Sequence, residues 1–313
     1  MSRGLDVEAF RARAERTLRD SDIADAHDRF RNLVGPLPEE MTDLARQAFD
    51  DLRDGQTPSP DALHALELAI RMHRPALLVR DTDIDALPTE AAPAFPEWKG
   101  FTTAVRNHMG AVGCVQRVHG SAAELVGTGF AISPTAVVTN RHVVAALTGG
   151  NGTLKAGEAR LCFADGGTAA AHTAPVVEVQ ATHPTLDVAV LRIDPDGDAP
   201  RPFAMSPAVP DVGQAVAAIG YPDDDPRSAG FDKLLFADGL GVKRVAPGEI
   251  TGVHDDAFFH DCSTLGGSSG SPVVSLRDAS LVGVHADGWF LARNEGVVAC
   301  SAHEFLLSFA APG

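Results

Sequence analysis

Little of this chain is cysteine, little is basic, and none of it is a long apolar run; each shortage narrows what the chain can be. The four cysteines among its 313 residues, Cys114, Cys162, Cys262 and Cys300, form no Cys-x-x-Cys pair and no zinc-ligand spacing. Neither a disulfide framework nor a metal site is therefore expected, and the thiols read as small buried hydrophobes. Lys and Arg number 26 against 42 Asp and Glu, a formal charge of −16. Nucleic-acid binding relies on clustered cations, so no nucleic-acid partner is expected, and the acidity reads as solubility. No stretch reaches the ~20 apolar residues of a membrane-spanning helix. Met1–Asp20 is dense in Arg, Asp and Glu where a secretory leader would be apolar. The expectation is a cytoplasmic location with no membrane partner.

What is present is an ordinary globular composition, 44% hydrophobic and 22% charged, in a chain long enough for two or three cores. Residues 1–87 read as a small α-helical domain. Pro38 to Asp54 sets Met41, Leu44, Ala45, Ala48, Phe49 and Leu52 at the three-and-four spacing of one helix face. Ser59-Pro60-Asp61 reads as an N-cap with a first-turn proline, opening a helix with Leu63, Leu66 and Ile70 inward. An earlier helix, Asp6 to Leu33, is more weakly patterned. Residues 88–98 read as a Pro/Ala-rich linker, with Pro88, Pro93 and Pro96 breaking helix and strand alike.

From Gly110 the period becomes that of strands. Ala111–Val118, Glu124–Ile132, Thr135–Thr139, Glu158–Phe163, Val176–Val179 and Val188–Ile193 form a first set, closed by the Pro195-Asp-Gly turn. After a Pro-rich crossover near 195–212 come Gln214–Tyr221, Val242–Val245, Glu249–Val253, Ala257–His260, Pro272–Ser275, Leu281–Ala286 and Gly296–Cys300, with a terminal helix at Ala302–Phe309.

Three stretches in this strand-rich region carry chemistry. Leu265-Gly-Gly-Ser-Ser-Gly-Ser-Pro-Val-Val274 frames a serine with glycines that let successive N–H groups turn into one hollow. Thr139-Asn-Arg-His142-Val-Val ends a strand on a histidine, and Asp187-Val-Ala-Val-Leu opens another on an aspartate. A serine hydroxyl attacks only when a base takes its proton and backbone donors hold the oxyanion. His142, Asp187 and Ser269 supply base, orienting carboxylate and nucleophile in that chain order.

These blocks resemble the signatures of trypsin-like, chymotrypsin-fold serine peptidases, from about Val112 to the C-terminus. The resemblance implies a mainly β fold of two six-stranded antiparallel β-barrels, here preceded by the helical domain, with residues 99–313 as the peptidase. It implies a serine endopeptidase acting on protein or peptide substrates without a cofactor, with the N–H groups of Gly267 and Ser269 as the oxyanion hole. Many secreted members bridge the histidine loop with a disulfide; Arg141 and Val143 flank His142 here. Digestive members carry an aspartate before the nucleophile that pairs with a newly cut N-terminus. Ser268 cannot make that ion pair, so no such switch is expected.

Pocket candidates are His285, Ser263, Thr264, Gly288 and Asp261. In the glutamyl endopeptidase branch a histidine placed like His285 contacts the substrate carboxylate, and an imidazole beside Ser263 or Thr264 suits Glu or Asp. Glu90 and Glu97 would then be self-cleavage sites. Asp261 on the pocket floor would instead favour Arg or Lys. His254, His260, Asp261 and Cys262 follow no ligand motif and read as structural. The histidine block is also similar to that of the HtrA quality-control proteases, and a binding module on a peptidase fold is a further alternative. The layout resembles bacterial defence and signalling systems, in which a helical adaptor domain accompanies a trypsin-like domain acting on one dedicated substrate. The helical domain is the expected contact for a regulatory protein partner.

Overall fold

The computed structural model describes residues 39–89, 91–167, 172–194, 200–224, 236, 239–289 and 293–310. The expected helix Asp6–Leu33, Glu90 and the whole of the Pro195-Asp-Gly turn lie outside these residues. The two sequence-read helices are α1 (Glu39–Arg53) and α2 (Pro60–Met72). Ser59 caps α2, its hydroxyl accepting from the Ala62 N–H at 3.2 Å, and Pro60 sits where its missing N–H costs nothing. Ala45, Ala48, Leu52, Leu63, Leu66 and Ile70 close a small core between the two helices.

The chain then departs from a purely helical N-terminal unit. Leu77–Arg80 is a strand, β1, paired with the two-residue β2 (Asp83–Ile84) on one side and with β10 (Arg244–His254) on the other. The Pro-rich stretch is packed rather than loose: Ala91 and Phe95 are fully buried, and Phe95 joins the main core. Burying one phenylalanine contributes roughly 2–3 kcal/mol. Helix α3 (Trp98–Val105) follows, placing Phe101 and Val105 in the same core.

The first strand set is β3 (Val112–His119), β4 (Ala122–Ala131), β5 (Ala136–Thr139), β6 (Ala159–Cys162), β7 (Thr173–Thr182) and β8 (Ala189–Ile193). They close a barrel in the order β3-β4-β5-β8-β7-β6. The second set is β9 (Ala215–Gly220), β10, β11 (Ala257–His260), β12 (Pro272–Ser275), β13 (Leu281–Trp289) and β14 (Arg293–Val298). Its antiparallel pairings run β9-β10-β11-β14-β13-β12 and return to β9, a second closed six-stranded barrel. One apolar cluster takes residues from both barrels, from Val115 and Leu191 to Val245 and Val274. α4 (Arg141–Thr148) follows β5, and α5 (His303–Ala310) ends the described chain.

Two expected strands, Val242–Val245 and Glu249–Val253, are one continuous β10. Pro247 falls between the end of the β1 pairing at Val245 and the start of the β11 pairing at Ile250, where no third strand requires its missing N–H. Gly248 is there because a Cβ would lie 2.6 Å from Asp261 Oδ1.

Candidate active site

The sharp turn after β5 starts α4 with His142 in its first turn. Asp187 sits just before β8, the strand paired with β5, so barrel pairing alone brings the two side chains together. Asp187 Oδ2 lies 2.7 Å from His142 Nδ1, and its Oδ1 accepts from the His142 backbone N–H at 3.1 Å. Asn140 Nδ2 donates to the Asp187 carbonyl at 2.7 Å. Burial alone would raise the Asp187 pKa. The hydrogen bond and charge of His142, with the amides of His142 and Arg141, outweigh it and hold the carboxyl below its ordinary value. An ionised Asp187 accepting from Nδ1–H leaves Nε2 of the neutral ring as the proton acceptor.

The serine turn is held against this pair by β4. A Cβ on Gly127 would strike the Val143 side chain at 2.7 Å and come within 3.1 Å of the Ser269 carbonyl oxygen, so only glycine lets the histidine helix and the serine turn approach this closely. The Thr128 N–H donates to that carbonyl at 2.7 Å, and the Thr128 hydroxyl donates to the Gly267 carbonyl at 2.8 Å. Thr128 also accepts at its hydroxyl from the Tyr221 N–H. It is a hub that nothing in the sequence marks beyond its place in Gly127-Thr-Gly129.

The carbonyl of Gly266 accepts from the Asp223 N–H at 2.6 Å, and that of Ser268 accepts from the Ser271 N–H at 3.0 Å. In a trans peptide the N–H points opposite to the C=O. The amides of Gly267 and Ser269 are thereby turned away from these contacts, and no backbone carbonyl among the described residues accepts from either. Gly267 has φ +81 and Gly270 φ +89, conformations that side chains resist. Two such N–H groups beside a serine can hold a developing oxyanion. The Ser269 hydroxyl itself donates to the Ala286 carbonyl at 3.2 Å rather than to His142. Ser268 is buried, its hydroxyl accepting from the Leu265 N–H.

The pocket candidates separate. Thr264 Oγ1 donates to Asn294 Oδ1 at 2.8 Å, Asn294 Nδ2 donates to the Cys262 carbonyl at 2.6 Å, and a Cβ on Gly288 would lie 3.0 Å from Asn294 Oδ1. Ser263 Oγ is buried without a hydrogen-bond partner among the described residues. His285 is buried, 3.0 Å from His260 Nε2 through its Nδ1; burial, then the charges of His260 and His142, push its pKa well below the ordinary value. The imidazole is therefore neutral near pH 7.

Asp261 requires a correction. Its Oδ2 receives Arg74 Nε at 3.0 Å and its Oδ1 receives the Glu249 N–H at 2.7 Å, so its carboxylate is already engaged and cannot be the floor of a pocket for Arg or Lys. Burial opposes the Arg74 charge, but Asp261 and Glu249 overcome it and raise the guanidinium's pKa. Of the superficially metal-like group, His254 pairs with the neighbouring Asp255 at the surface, while His260 contacts His285. All four cysteines are free thiols, and Cys114 faces Cys162 across β3 and β6. Sequence reasoning did not reach Asn294, Thr128 or the role of His260; a polar residue closing an apolar strand was the one available signal for the last.

Two closed barrels joined by one core, with a glycine-framed serine beside a His–Asp pair, define the class of double-barrel serine peptidases. The chain belongs to the trypsin-like peptidase domain family, whose profile matches residues 127–284. It is 30% identical over 250 residues to a probable serine protease of Lysobacter enzymogenes, an alignment covering 66% of this chain and 64% of that protein. It is 26% identical over 198 residues to a glutamyl endopeptidase of Staphylococcus aureus, covering 60% and 54% respectively. The alignments thus span less than two thirds of these relatives. A solved serine endoprotease of Yersinia pestis, 20% identical, superposes with a TM-score of 0.48 over 67% of this chain and 66% of that one.

Proposed function

We propose that this chain is a serine endopeptidase in which Ser269, His142 and Asp187 form the catalytic triad. The observation that carries the reading is the two-point grip of Asp187 on His142, ring and backbone, which fixes one tautomer and leaves Nε2 as base. Ser269 Oγ leaves the Ala286 carbonyl, gives its proton to His142 Nε2 and attacks the scissile carbonyl carbon. The oxyanion is received by the Gly267 and Ser269 N–H groups. His142 returns the proton to the leaving amine, and water then cleaves the acyl-enzyme by the same route in reverse.

The pocket reading is a preference for an acidic side chain before the scissile bond. When His260 donates to His285 Nδ1, the neutral His285 carries its hydrogen on Nε2, available to a substrate carboxylate. The partnerless Ser263 hydroxyl offers a second donor. The glutamyl endopeptidases among the relatives are in keeping with this. The proposal extends to a cytoplasmic setting and to a dedicated protein substrate met with the help of α1 and α2; free cysteines and a helix pair with its own core are what support these parts.

The test is fluorophosphonate labelling with a peptide-library cleavage profile. Wild type should label and cleave after Glu or Asp, and Ser269→Ala should do neither while keeping the wild-type melting temperature. Labelling that persists in Ser269→Ala would place the nucleophile elsewhere; cleavage after apolar or basic residues would overturn the pocket reading alone.

A further inference from the structure

Two buried arginines reach from the N-terminal segment to the loop that precedes the nucleophile. Arg71, in the last turn of α2, and Arg74, just beyond it, are 7% and 4% exposed. Arg71 Nη1 donates to the Thr264 carbonyl at 3.1 Å. Arg74 holds Asp261 at 3.0 Å and Glu249 at 3.4 Å, and its guanidinium lies 5.0 Å from the centre of the Phe95 ring. The Arg74 N–H donates to the Arg71 carbonyl at 2.9 Å, so the two side chains leave one turn of backbone.

The far side of the same loop is the pocket. Asn294 ties Thr264 Oγ1 to the Cys262 carbonyl, and Gly288 lies against Asn294. The four residues Asp261–Thr264 are thus clamped between Asn294 inside and two guanidinium groups outside. The clamp is anchored at both ends. β1 pairs with β10 at Leu77 and Leu78, Arg244 Nη1 donates to the Ala76 carbonyl at 2.8 Å, and Ala76 enters the second barrel's core. A buried charge is retained at a cost unless it is matched, and Arg's planar fork matches a carboxylate better than any other cation. Two buried arginines that both reach this loop are more than stability of the helix pair requires, since that pair has its own apolar core.

We propose that Arg71 and Arg74 are positioning residues of the substrate pocket, fixing the Asp261–Thr264 loop so that Ser263, Thr264 and their neighbours present a preformed surface to the side chain before the scissile bond. The inference rests on the peptidase reading above. It makes the segment Pro60–Arg80 part of the pocket rather than a separable appendage. Neither arginine touches substrate or the triad. Their loss raises KM while leaving chemistry at Ser269 intact, because a mobile pocket loop must be ordered by the substrate at each binding event.

The experiment uses the full chain and two readouts that report different parts of it. Steady-state cleavage of the best peptide from the library profile gives KM and kcat, and the rate of inactivation by a small fluorophosphonate reports triad and oxyanion hole without filling the pocket. Arg74→Ala is expected to raise KM about tenfold or more, with the inactivation rate within about threefold of wild type. Arg74→Lys keeps the charge on Asp261 but not the fork to Glu249, and should recover part of the loss. Arg71→Met keeps the length of the side chain, removes the donor to the Thr264 carbonyl and leaves the Arg74 ion pair intact; about a threefold rise in KM is expected from it.

An unchanged KM in Arg71→Met and Arg74→Ala overturns the proposal and leaves the peptidase reading standing. So does a parallel fall in inactivation rate and kcat, which would mean a global structural role. Should Arg74→Ala not fold, Arg71→Met decides alone. A wild-type protein that neither labels at Ser269 nor cleaves peptides overturns the peptidase reading first, and this one with it.

Discussion

Substituting Gly267 by alanine tests the oxyanion hole in a way that the geometry makes quantitative. Gly267 has φ +81, and a Cβ there would stand 2.4 Å from the Tyr221 carbonyl oxygen and 2.8 Å from Leu125 Cδ2. The carbonyl is backbone between β9 and the Asp223 contact, so it has little room to yield. Relief requires the turn to move by about 0.6 Å or more, and the left-handed conformation adds roughly 1–2 kcal/mol of strain. An oxyanion donor works within about 2.7–3.1 Å, so that displacement removes the Gly267 N–H from useful range; one such donor is worth about 3 kcal/mol in the transition state, or roughly 10²–10³ in kcat. The assay is kcat and KM on the library-selected peptide, beside thermal unfolding. Gly213→Ala is the control: it has φ +87 and nothing within 4 Å of its Cβ, so it carries the strain without the collision. Gly267→Ala should lose kcat with KM nearly unchanged, and Gly213→Ala should lose only stability. A Gly267→Ala variant within about fivefold of wild-type kcat would refute the assignment of this amide.

Asp187→Asn should retain the fold and most of its KM but lose roughly 10⁴ in kcat, because a carboxamide cannot hold His142 in the Nδ1–H tautomer at both points. The same substitution removes a stabilising contribution present above the ordinary carboxyl pKa of 3.8 and lost as pH falls through the depressed folded value, so wild type and variant should converge in acid. Lys243 gives the opposite end of the pH scale. It is 2% exposed, donates to the Met109 carbonyl at 2.8 Å, and burial lowers its pKa from 10.5 to about 8 against the opposing charges of Asp165, Cys114 and Cys162. Between those values the unfolded chain holds a proton that the folded chain has released, so stability rises with pH across that window. Lys243→Met removes this dependence; urea denaturation should show wild type gaining roughly 2 kcal/mol on the variant between about pH 7 and 9.5, and parallel curves would refute a strained lysine.

The residues of the proposed triad could be picked out because each lies in a short contiguous block: a glycine-framed serine, a histidine and an aspartate at strand ends need no knowledge of what packs where. The barrels were legible because most of their strands alternate or run apolar between turn residues. What failed to show was pairwise and distant. β1 is four residues, Leu77-Leu-Val-Arg80, too short to stand out beside the helices before it, and its partner in β10 lies far along the chain. Asp261 stood as an alternative pocket floor because spacing from Ser269 cannot say which way a carboxylate faces; Arg74, far upstream, decides it. The expected strands Val242–Val245 and Glu249–Val253 run on as one because Pro247 pairs with β9 on one side only, its other side lying between the β1 and β11 pairings, and sequence does not reveal that.

The same distance effect governs how the N-terminal segment should be understood. Composition divides the chain near residue 88, where helical periodicity gives way to prolines. The physical seam is elsewhere. α1 and α2 close their own small core, but Ala76 lies in the second barrel's core, and Val79 and Phe95 lie in the core shared by both barrels. A cut at residue 95 would remove all three side chains, the β1 edge of β10 and both arginines on the pocket loop, so its effect would report lost packing as much as lost regulation. A regulatory role for the helices is therefore tested by changes on the exposed face of α1, where Asp43, Arg46 and Arg53 make exposed helix-surface ion pairs worth little to stability. Such changes leave Pro60–Arg80 in place and separate recruitment of a partner from construction of the site.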